Sequence, residues 1–115
     1  MNGNDTSIGG DETKTRYSLD ILRRYKPGFM TLHLSSLDEA QHGHGPFSAE
    51  ACADLEALDG MVARLARQEF ANNPAAVLVL VSDHGFMNIT HSINLAIPVS
   101  YTHLDVYKRQ GPGTA

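Results

Sequence analysis

A chain of 115 residues with a net charge of -4 and a pI near 5.8 makes at most one domain, and it offers no basic face for nucleic-acid polymer or anionic membrane. The longest clean apolar run, residues 75–81, has seven residues where a membrane span needs about 20, so it reads as a buried strand. A lone cysteine, Cys52, excludes an internal disulfide and leaves the compartment unknown, and the opening residues lack the basic start and apolar core of a signal peptide.

The first ten residues, MNGNDTSIGG, are rich in Gly, Asn and Asp and are expected to form a flexible N-terminal loop, with a domain following over residues 11–97. Over residues 14–25 the apolar positions Tyr17, Ile21, Leu22 and Tyr25 suit a short amphipathic helix, which Pro27 stops. FMTLHLS, residues 29–35, reads as a buried strand with His33 packed inside it. Ser48 then offers an N-cap for a helix running to about Phe70, with Ala51, Leu55, Leu58, Val62 and Leu65 on one face. NNP, residues 72–74, breaks that helix, and AAVLVLVS, residues 75–82, supplies a second strand. Helix, strand, helix, strand predicts an α/β fold with two parallel strands joined by a right-handed βαβ crossover.

In such a sheet, the loops leaving the carboxyl ends of the strands share one edge, where ligands bind. LDEAQHGHG leaves the first strand and DHGF the second, so two loops rich in Asp and His converge. Asp38 and His42 are four apart, and Asp83 and His84 are adjacent. Each pair joins a carboxylate oxygen to an imidazole nitrogen, a donor set for zinc or a similar divalent ion. Two pairs suit two ions, which together can clamp the attacking and leaving oxygens of a phosphoryl group. Gly43, Gly45 and Gly85 would let the backbone turn beside them. Asp and His are also ordinary residues of solvated loops, and that reading stands beside the metal one.

HLSSLDEAQHGHGP and VSDHGF, in that order, resemble the type I phosphodiesterase/nucleotide pyrophosphatase branch of the alkaline phosphatase superfamily, and the likeness covers about residues 11–97. It implies an alkaline-phosphatase-like three-layer fold, of which this chain would be an internal fragment. It implies a phosphoric ester hydrolase that acts on a small-molecule phosphate ester with two divalent metal ions, expected to be zinc. By position, Asp38 and His42 resemble the ligands of one metal and Asp83 and His84 those of the other. His44 falls at a variable place, and His91 has no role in the pattern. The family's nucleophilic Thr or Ser has no counterpart here, because Thr6, Ser7 and Thr13 follow no apolar strand. The 115 residues alone are therefore expected to be inactive, with partial metal binding. A phosphoglycerate-mutase-like phosphomutase shares the ligand logic and is the alternative enzyme reading, and a catalytically inert α/β fragment is the alternative of another class.

VSYTHLDVYKRQ, residues 99–110, can be back-translated into an inverted repeat equal to two transposon mosaic ends joined head to head. Residues 98–115 are accordingly expected to be an artefactual tail, which removes His103 and Asp105 from the candidate ligands. Two apolar strands without further sheet neighbours would expose their edges. The purified chain is expected to self-associate without metal, which sedimentation velocity checks; a monomer that unfolds cooperatively is the contrary result.

Overall fold

The computed structural model describes residues 5–92, and its first helix starts earlier than composition suggests. α1 runs over Ile8–Tyr25. Ser7 caps it: the hydroxyl accepts from the Gly10 N–H at 3.2 Å and donates to Asp5 Oδ1 at 2.6 Å. Residues 8–10, expected to be loop, are therefore helical. Their two glycines, each disfavouring a helix by about 1 kcal/mol, hide the start from propensity. Gly10 has a packing reason to be there, since a Cβ would stand 2.3 Å from the Asp5 carbonyl oxygen. Lys26, at φ 44°, ends the helix before Pro27.

A second helix, α2 at Ser36–His44, replaces the loop expected after residue 35. Its N-cap, Ser35, makes no side-chain capping bond. The acceptor comes from α1 instead: Asp11 Oδ2 receives the N–H groups of Ser35 and Ser36, each at 2.8 Å. Asp11 is wholly buried, and its other oxygen accepts from Lys14 Nζ at 2.8 Å. Lys14 also donates to Ser35 Oγ at 3.0 Å. Gly45, at φ 88°, closes α2 with its N–H on the Gln41 carbonyl.

α3, Ala49–Asn72, follows the sequence reading closely. Ser48 Oγ accepts from the Ala51 N–H at 3.1 Å, and the helix ends at the first asparagine of NNP. It packs against both α1 and α2. The core is small: its buried apolar residues are Leu19 and Leu22 of α1 and Ala51, Leu58 and Met61 of α3. This buried stripe is rotated from the predicted one, because Met61 lies inside while Leu55 is exposed. On α1 the buried face is Asp11, Thr15, Ser18, Leu19 and Leu22, whereas Tyr17, Ile21 and Tyr25 stay exposed. Polar bonds close the seam at both ends. Arg64 pairs bidentately with Glu12, Arg23 Nε donates to Gln68 Oε1 at 3.0 Å, and Asn72 Nδ2 donates to the Leu22 carbonyl at 2.8 Å.

The expected α/β class is not what forms: the described residues contain helices and no strand. Segments 29–35 and 75–82 lie outside the helices, but no backbone bond joins them to each other. A strand exists only through the ladder it shares with a neighbour, so apolar β-branched residues alone do not make one. The parallel pairing and right-handed crossover fall with it. Val77, Val79, Leu80 and Val81 are exposed, and so is His33, which was expected to be packed. No described helix is long and apolar enough to cross a membrane. The expected tail, residues 98–115, lies outside the described residues.

Burial pushes the Asp11 carboxyl up, but the Lys14 ammonium and the N–H groups of Ser36 and Ser35 outweigh it and hold it below the ordinary carboxylate value. A lowered folded value means that Asp11 stabilises the fold fully above the unfolded pKa of about 4, and that this stability is lost as pH falls through the folded value. Replacing Asp11→Ala is expected to remove about 2–3 kcal/mol at neutral pH and much less in strong acid. Urea unfolding of both proteins at neutral pH and near pH 2 measures that difference.

Candidate functional site

The four residues singled out by the motifs come together at α2. Because residues 36–44 are helical, Asp38 and His42 stand one turn apart on a single face, with His42 Nε2 3.7 Å from Asp38 Oδ1. The segment after residue 81 brings His84 to the same carboxylate, with its Nε2 3.8 Å from Asp38 Oδ1. Asp83 Oδ2 lies 3.6 Å from His84 Nε2, and Asp83 Oδ1 accepts the His84 N–H at 3.0 Å. Asp38 is thus shared between both histidines, and Asp83 reaches the group through His84 alone.

Phe86, which the sequence reading left without a role, joins the two halves. Its ring centroid lies 4.9 Å from that of His42 at 82° and 5.4 Å from that of His84 at 61°, edge-to-face in both cases. Around it the chain is exposed, yet Phe86 is half-buried. An aromatic residue directly after SDHG was the available signal. Of the remaining histidines, His44 is exposed, and His91 is exposed with Nδ1 3.0 Å from Thr90 Oγ1. Gly45 alone of the three neighbouring glycines adopts positive φ; Gly43 is inside α2 and Gly85 needs no special conformation.

The group suits a divalent ion in its chemistry: two carboxylates and two imidazoles, all reachable from solvent. Adjacent ligands of a tetrahedral zinc stand about 3.3 Å apart, so separations of 3.6–3.8 Å are slightly open. Among the described residues, no set of three or more His, Cys, Asp or Glu side chains closes around one point as a bound ion requires. Three described hydroxyls are already engaged: Ser7 by Asp5 and Gly10, Thr6 Oγ1 as donor to Glu39 Oε2 at 3.4 Å, and Ser82 Oγ as donor to the His84 carbonyl.

A helix-borne carboxylate and imidazole thus face an Asp-His pair at the surface beside α2. The chain belongs to the type I phosphodiesterase / nucleotide pyrophosphatase family, whose model matches residues 6–113. It is 30% identical over 91 residues to alkaline phosphatase PhoD of Zymomonas mobilis, covering 74% of this chain and 16% of that protein. It is 36% identical over 69 residues to human ectonucleotide pyrophosphatase/phosphodiesterase family member 1, covering 58% of this chain and 8% of the relative. Venom phosphodiesterase 2 of Crotalus adamanteus is 28% identical over 97 residues, 82% of this chain and 12% of the venom protein. The chain thus spans less than a fifth of each of these relatives. No solved structure matches.

Replacing Phe86→Ala is expected to separate residues 82–86 from α2. Loss of ring-current shifts on the His42 and His84 imidazole protons, with the α1–α3 core intact in the amide spectrum, is the expected NMR result.

Proposed function

We propose that this chain is part of a metal-dependent phosphoric ester hydrolase acting on a small-molecule phosphodiester or nucleotide. The observation that carries the reading is the meeting of Asp38 and His42 with His84 and its neighbour Asp83. Asp38 and His42 would hold one divalent ion and Asp83 and His84 a second, with zinc the expected metal for this donor set. Two such ions, when bound, lower the pKa of an attacking hydroxyl and offset charge on the oxygen that leaves phosphorus. The chain's own part is to supply the donors from a stiff support. α2 presents two on one helical face, and Phe86 keeps the Asp83-His84 pair beside them. The attacking Thr or Ser hydroxyl belongs to the longer protein, so the 115 residues by themselves are an incomplete catalyst.

The test uses the full-length protein from the source gene. Hydrolysis of bis-p-nitrophenyl phosphate is expected to require a divalent metal, to disappear with chelator and to return with zinc. Asp38→Asn and His84→Ala are each expected to lower kcat/KM at least about a hundredfold. Activity that persists after chelation, or in either variant, would remove the metal reading.

A further inference from the structure

We propose that Asp11 is a positioning residue for the Asp38-His42 pair, holding α2 by its N-terminus so that both side chains meet the incoming Asp83-His84 segment. The inference rests on the ligand roles proposed above for Asp38 and His42. α2 has nine residues, fewer than the roughly 12–15 that an isolated helix needs, so it depends on outside support. Its own N-cap supplies none, because Ser35 makes no side-chain bond to the helix. The two backbone donors at its start both end on Asp11 Oδ2 at 2.8 Å. Asp38 stands two residues beyond Ser36, inside that anchored first turn.

The anchor is stiff as well as strong. Asp11 is wholly buried, in the first turn of the long helix α1, whose other contacts are with the α3 core. Lys14, bonded to both Asp11 Oδ1 and Ser35 Oγ, ties the same turn of α1 to the residue before α2. A negative charge at the helix N-terminus also interacts favourably with the exposed N–H groups there. Asp11 touches none of the four candidate ligands in this network, so its influence runs through the backbone of α2.

The experiment compares the 115-residue chain with its Asp11→Asn and Glu12→Gln variants. Glu12→Gln breaks the neighbouring α1–α3 ion pair with Arg64 without touching α2, and so it reports a purely structural loss. Zinc affinity is read by competition with a chromophoric chelator, and the anchoring of α2 by amide exchange at Ser35 and Ser36. Asp11→Asn is expected to weaken zinc binding about tenfold or more and to speed exchange at both amides. Glu12→Gln is expected to keep both close to the parent values. Parent-like zinc affinity and exchange in Asp11→Asn, or an equal loss of affinity in Glu12→Gln, overturns the proposal.

A parent chain that takes up no zinc defeats the ligand reading instead, and the two amides still decide whether Asp11 holds α2. Should Asp11→Asn lose its helical circular dichroism, Lys14→Gln is measured the same way, since it removes the cation that holds the Asp11 carboxylate and Ser35 together. Weaker zinc binding with faster exchange supports the anchor, and no change in either overturns it.

Discussion

The carboxylate of Asp11 sits fully out of water and accepts two backbone N–H groups from one side and a lysine ammonium from the other. A charge buried without such partners is strongly unfavourable, so these residues hold their arrangement together or lose it together. The constraint reaches well beyond its own contacts. It fixes where α2 begins, and where α2 begins decides the face on which Asp38 and His42 appear. The rest of the fold keeps α1 in place, through its packing on α3 and the polar bonds that Arg64 and Asn72 make to it.

The second half of the site reaches α2 in a different way. Residues 82–86 share no ladder with another described segment, and they meet α2 through side chains alone: His84 beside Asp38, and Phe86 against both imidazoles. One half of the site is therefore held by buried, charged hydrogen bonds and the other by an aromatic contact near the surface. Such contacts differ in stiffness. Edge-to-face aromatic pairs contribute about 1 kcal/mol each, less than a buried carboxylate with several donors. On the proposed reading, metal binding would draw the softer half toward the stiffer one across the 3.8 Å between His84 Nε2 and Asp38 Oδ1.

The chain belongs to the type I phosphodiesterase / nucleotide pyrophosphatase family and spans less than a fifth of the relatives compared with it. A few exposed side chains can present donor atoms. A pocket that chooses between substrates and a hydroxyl aligned for attack need surrounding walls as well.

Local chemistry written in neighbouring residues was legible. Ser48 announced α3, NNP ended it, and the two Asp-His motifs named the four side chains that the structure brings together. Features that depend on distant partners were not. The start of α1 hid behind two glycines that a cap and a close approach by Asp5 override. α2 looked like a loop because its cap stands 25 residues away on another helix. The segments at 29–35 and 75–82 looked like strands because their side chains favour extended backbone, but a strand is a property of a hydrogen-bonded pair, and no such pair forms among the described residues. Residue identity and short spacing thus determined the family and the longest helix, and named four side chains that lie near one another at α2. Tertiary structure alone decided the helical fold of the described residues, the buried faces of α1 and α3, and the roles of Asp11 and Phe86, since each depends on which distant group satisfies a hydrogen bond or covers an apolar surface.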